Sequence, residues 1–173
     1  MDLKGARLAC SSLSFACGIA LCALAADGCS SKTLQYPADH ERIQRIDRAV
    51  ESLRDAYQSK DPSAFRAVLL PLDELESLQH QVEADFDAFH SISLEFKVER
   101  VMIEGDNIDV HVHWQGVWKK HVDDTGVRQR GHARLQWAGT TSILLRGVQG
   151  DLPFGMKTKQ ALSEVPLSKP APR

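Results

Sequence analysis

The spacing of apolar residues changes at residue 91, and that change limits the folds open to this chain more than any other feature. Upstream, apolar residues recur every three or four positions. Ile43, Ile46, Val50, Leu53 and Tyr57 form one such stripe and predict a helix from Asp39, as N-cap, to about Ser59. The stretch "KDPSAFRAVLLP" opens a second, short helix, with Asp61 as N-cap and Pro62 at the first helical position, where its missing N–H does no harm. Pro71 is expected to stop that helix and open a third, striped by Leu72, Leu75, Leu78, Val82, Phe86 and Phe89. Asp73, Glu74 and Glu76 suit the positive end of its dipole.

Downstream, the period is two. "SISLEFKV" turns Ile92, Leu94, Phe96 and Val98 one way, whereas Val101 and Ile103 fall on the opposite parity, which predicts a bulge near Glu99-Arg100. "IDVHVHW" sets Ile108, Val110, Val112 and Trp114 against Asp109, His111 and His113. "RQRGHARLQW" sets Gly131, Ala133, Leu135 and Trp137 against Arg128, Arg130, His132 and Arg134, and "SILLRGVQG" supplies a last strand. Short turns between these runs make an antiparallel meander, whose apolar face must be covered. The helices are the available cover. The predicted class is α+β, with three N-terminal helices packed on a curved antiparallel sheet of about four strands. The domain is expected to span residues 39–155. Residues 156–173 carry three prolines and no period, and are expected to be a disordered tail.

All four cysteines, Cys10, Cys17, Cys22 and Cys29, precede residue 30. Lys4 and Arg7 are followed by the apolar or small run 8–26, the layout of an export signal over residues 1–29. The "GCSS" that ends it resembles the cleavage box of bacterial lipoproteins, with Cys29 as the acylated residue, although Ala26 and Asp27 depart from the usual occupants. Two other fates stay open: a cut after Ala23-Leu24-Ala25, or an uncleaved anchor. No cysteine follows Cys29, so an exported domain would have no internal disulfide, and acylation would remove an otherwise lone thiol. Residues 30–38 read as a tether. The resemblance implies a membrane-bound protein of the bacterial cell envelope facing the periplasm, with Ser30 pointing to the outer membrane.

The order of elements, the K-D-P-S-A-F helix start and the ending "WAGTTSILLRGVQGDLPFG" resemble the NTF2-like superfamily, which includes ketosteroid isomerase and SnoaL-type cyclases. The resemblance implies a cone, a curved sheet wrapped round a long helix. It carries over no reaction. The isomerase's oxyanion-binding tyrosine would fall, counting back from Asp61, on Leu53, which has no hydrogen to donate.

The net charge of −2 is unchanged when residues 1–29 are set aside, which argues against nucleic acid as a partner. No nucleophile elbow, phosphate loop, C-x-x-C or H-E-x-x-H is present, so no catalytic residue and no cofactor is assigned. His111, His113 and His132, with Asp109, are conceivable as metal ligands, but the arginines beside them would repel a cation and no metal is assigned. Arg128, Arg130, His132, Arg134, His111 and His113 form the candidate binding face. The expected function is a non-catalytic, lipid-anchored envelope protein binding a partner protein or a small apolar ligand, with a homodimer through the sheet as a further arrangement. The rival readings are a small pocket enzyme of the isomerase or cyclase type, and an envelope module binding an anionic glycan or lipid head group through the basic face. A cone holding a cavity with an inward acid or tyrosine would favour the enzyme; one filled with Ile, Leu and Phe would not.

Overall fold

The computed structural model describes residues 37–163, and the expectations for the leader, for Cys29 and for the last ten residues fall outside them. Helices come first: α1 (Pro37–Gln58), α2 (Pro62–Ala67), then a 3₁₀ turn (Asp73–Leu75) running into α3 (Glu76–Ala88). Four strands follow, β1 (Ser91–Glu104), β2 (Asn107–Lys119), β3 (Val127–Ala138) and β4 (Leu144–Gly150), and a last helix, α4 (Met156–Ser163). The strands form one antiparallel sheet in sequence order, the meander expected from the alternating pattern.

The helices bury most of their stripes, with Ile43 of α1 the exception at 37% exposed. Ile46, Val50, Leu53 and Tyr57 of α1 meet Leu78, Val82 and Phe86 of α3, and both meet the inner sheet face at Leu94, Val110, Val112 and Leu135. Asp61 caps α2, accepting from the N–H groups of Ser63 and Ala64, each at 2.9 Å. The bulge lies where parity predicts it, between Val98 and Arg100, and leaves Glu99 without a partner on β2.

Four details differ from the expectations. α1 begins at Pro37, so Asp39 sits in its first turn and is not the cap. α2 ends at Ala67, well before Pro71, because the chain leaves it to bridge β4: the Leu70 N–H donates to Leu145 O (2.7 Å) and the Leu145 N–H to Val68 O (2.8 Å). Leu72 consequently lies outside α3, at the surface. The far half of β1 overhangs the core and leaves Val98 and Ile103 exposed. The largest departure is α4. Residues 156–163, expected to be disordered, are helical, and the segment before them enters the core with Phe154 and Met156 buried. Its eight residues give little local signal, and its start is fixed by a contact distant in sequence, described below.

Gly116 is where β2 comes closest to its own core. A Cβ there would lie 2.5 Å from Cη2 of the fully buried Trp118 ring. Gly116→Ala is therefore expected to destabilise the fold by about 1–3 kcal/mol through overpacking, read from urea unfolding.

Candidate functional site

Two places bear on function, the interior of the cone and the outer face of its sheet. Inside, the last turn of α1 presents Tyr57, α3 presents Asp85 and β2 presents Trp118, all fully buried. The Tyr57 hydroxyl donates to Asp85 Oδ2 at 2.7 Å, and Trp118 Nε1 donates to the Tyr57 oxygen at 2.9 Å. Three backbone N–H groups complete the set. Those of Gly155 and Met156 reach Asp85 Oδ2 at 2.7 and 3.0 Å, and that of Lys157 reaches Oδ1 at 2.8 Å. These are donors at the start of α4, which helices leave unpaired. Asp85 thus caps a helix 70 residues away. Gly155 enters the turn at φ 73°, where a side chain would be strained.

Three of the four donors around Asp85 converge on Oδ2 and the fourth reaches Oδ1, so both oxygens are engaged within the protein. No group of the pair faces open space: Phe154 stands edge-on to Tyr57 at 5.0 Å and to Phe65 at 5.6 Å, filling the volume in front of them. Burial, and then the neighbouring Asp85, push the Tyr57 phenol well above its ordinary value, so it stays protonated. The acid and the tyrosine point inward, but into packed side chains and the chain's own backbone.

Sequence reasoning misses both residues. Tyr57 reads as part of an apolar stripe, and the position matching the isomerase tyrosine, Leu53, is a core leucine one turn earlier. The available signal is Asp85 itself, which falls three residues after Val82 and so on the apolar stripe of α3. An acid there implies waiting donors.

The six residues of the candidate binding face all lie together on the outer side of the sheet, in adjacent rows: Gln115 faces Arg130, His113 faces His132 and His111 faces Arg134. Their situations differ. The rings of His113 and His132 lie with centroids 4.9 Å apart, tilted by 37°. His132 Nδ1 lies 3.4 Å from Glu99 Oε2, so the bulge turns its extra residue onto this face. Arg134 donates to Gln149 Oε1 at 2.7 Å and lies 3.8 Å from Asp109. Among the described residues, Arg128 and Arg130 form no ion pair, and they line an open groove of about 490 Å³ with Ser93, Glu95, Gln115 and Gln129. Again among the described residues, no three His, Cys, Asp or Glu side chains converge as metal ligands.

With this geometry established, the architecture is that of NTF2-like proteins: an antiparallel meander curved over a long first helix. No protein-family model and no curated protein sequence matches the chain. Solved structures do. An NTF2-like superfamily protein from Salmonella enterica serovar Typhimurium superposes with a TM-score of 0.59 at 11% identity, over 66% of this chain and 93% of that one. A candidate aromatic ring hydroxylase from Novosphingobium aromaticivorans gives 0.56 at 14%, over 66% and 92%. A candidate dehydratase from the NTF2-like family of Streptomyces avermitilis gives 0.55 at 12%, over 65% and 99%. At such identities the likeness establishes the fold and no activity.

Tyr57→Phe removes one donor from Asp85 and the acceptor of Trp118 Nε1, leaving a buried N–H unpaired. It should cost about 1–3 kcal/mol by urea unfolding. The pH dependence has a definite sign. A phenol whose folded pKa is raised contributes fully below about pH 10, its unfolded value, and loses that contribution as pH rises through the folded value. Stability of the natural protein should therefore fall above about pH 10 by a component that Tyr57→Phe lacks.

Proposed function

We propose that this is a non-catalytic, lipid-anchored protein of the bacterial cell envelope, whose domain binds a partner through the outer face of its sheet. The observation behind this reading is the buried, bonded pair inside the cone: the interior acid and tyrosine are bonded to each other, to Trp118 and to the start of α4, and Phe154 packs edge-on against Tyr57. That leaves the exterior as the working surface. The anchor reading rests on the sequence resemblance around Cys29 alone. Among the described residues no helix is long and apolar enough to cross a membrane, a fact that bears neither for nor against a lipid.

A second reading has its own observation, the guanidinium groups of Arg128 and Arg130 beside the outer groove, which form no ion pair among the described residues. They suit an anionic glycan or lipid head group, since a guanidinium fork matches carboxylate and phosphate oxygens.

Three measurements separate the readings. Cys29→Ser should abolish incorporation of labelled palmitate and release the chain from membranes; unchanged membrane retention with no acyl label in either protein would leave an uncleaved helix as the anchor. Asp85→Ala should lower stability, with no turnover to lose. On a polyanionic heparin matrix, Arg128→Ala with Arg130→Ala should lower the salt needed for elution, whereas Arg134→Ala should change it little, because Asp109 and Gln149 already engage that side chain. Equal effects of all three arginines would reduce the second reading to general charge.

A further inference from the structure

The fold covers its sheet edges on β1 and β4 and leaves a stretch of β3 bare. On β1 the Leu94 N–H donates to the Gln58 side chain of α1, and on β4 the Leu145 N–H and C=O bond to Val68 and Leu70. β3 is different. It pairs with β2 from Val127 onward, but β4 reaches along it only as far as Ala133. One more backbone bond follows, from the Asp151 N–H to His132 O at 2.9 Å, and then the chain turns into the core at Phe154. Backbone groups of alternate residues in a strand point to the same side. Arg128 and Arg130 therefore turn their N–H and C=O groups the way His132 turns its carbonyl, to the edge that β4 has left. Among the described residues those groups have no partner.

A groove of about 610 Å³ lies beside this edge, between β3 and α4. The buried side chains of Trp114 and Met156 supply its apolar floor. Arg130 and Lys159 set two positive charges against the one carboxylate of Asp151, and the Lys159 ammonium donates to the Leu152 carbonyl. Gln160 lines the same groove, and its buried Nε2 has no acceptor among the described residues. A buried donor without a partner is costly, so the groove holds an unmet polar group of its own. Arg128 adds a third cation farther along the edge, on the outer face with Arg130.

We propose that an extended, acidic segment of a partner protein adds to the free edge of β3 as a further antiparallel strand, with acidic residues opposite Arg128 and Arg130. The chemistry selects the occupant. An extended peptide supplies, at the spacing of a strand, both the N–H and the C=O groups that this edge lacks. Residues directly opposite in an antiparallel pair share a face, so two acids separated by one residue reach both arginines on the outer side. The residue between them turns inward, over Trp114 and Met156 and towards Gln160 Nε2. The pattern recognised is acid-x-acid, with x an acceptor for that amide. This specifies the partner in the first reading of the function, and it rests on that reading for a protein as the thing bound.

The test uses the full chain in detergent and a fluorescein-labelled peptide with a Glu-Thr-Glu core. Binding is read from anisotropy, and folding from thermal unfolding. The peptide should bind, and replacing both of its Glu residues by Gln should weaken it by at least about tenfold. Arg128→Gln with Arg130→Gln should do the same with unfolding unchanged, whereas Arg134→Gln, whose backbone is already paired with β4, should bind as the natural protein does. A second readout tests the backbone. Methylating the two Glu nitrogens removes the N–H groups that would face β3 and should abolish binding; methylating the Thr nitrogen, which faces away, should be tolerated. No binding at millimolar peptide, equal effects of the two methylations, or indifference to the loss of Arg128 and Arg130 would overturn the proposal. Palmitate labelling and heparin elution need no strand pairing, so a failed peptide would sink this proposal and leave both readings of the function standing.

Discussion

A carboxyl group with no access to water has to find hydrogen-bond donors within the protein, and much of this molecule's form follows from how Asp85 does so. Its oxygens take one phenol and three backbone N–H groups. Those N–H groups are available only because a helix starts there, and that helix is held in place because its first-turn donors find an acceptor. Each side answers the other's unmet need. Leaving a buried polar group unpaired costs about 1–3 kcal/mol, so removing either side exposes the other to that penalty. The segment leading into α4 can then carry Phe154 into the ring cluster with Tyr57 and Phe65.

The same arrangement bears on the reading of the cone's interior. A catalytic acid needs a free lone pair or proton and a path to substrate. Asp85 and Tyr57 have the identities such a site would call for, and the neighbours that superpose on this fold include proteins named as candidate enzymes. Here the two are bonded to each other and to the start of α4, and a likeness of fold by itself carries no activity.

How much of this could be read from the sequence depended on the range of the interactions. α2 was legible because its cap is local: Asp61 bonds to residues two and three positions ahead. The bulge was legible because parity is a local property, and the inversion between Val98 and Val101 marks it in the sequence. The basic face was legible because strand alternation places Arg128, Arg130, His132 and Arg134 on one side whatever they meet. α4 was not, since its cap lies 70 residues upstream. Nor was the end of α2: Pro71 suggested a stop, but the helix ends earlier because β4 draws Val68 and Leu70 into backbone bonds. Leu53 and Tyr57 show the same limit. Both lie on one buried stripe, and only a tertiary partner, Asp85, separates a core leucine from a hydrogen-bonded phenol.

The bulge links the edge of the sheet to its face. By inserting Glu99, it places a carboxylate beside His132 and partly neutralises the middle of the basic face, and it also ends the regular run of β1 available to another strand. One inserted residue thus changes both the edge of the sheet and the charge of its face, and Gln58 covers the edge on the other side of Phe96 by accepting from the Leu94 N–H.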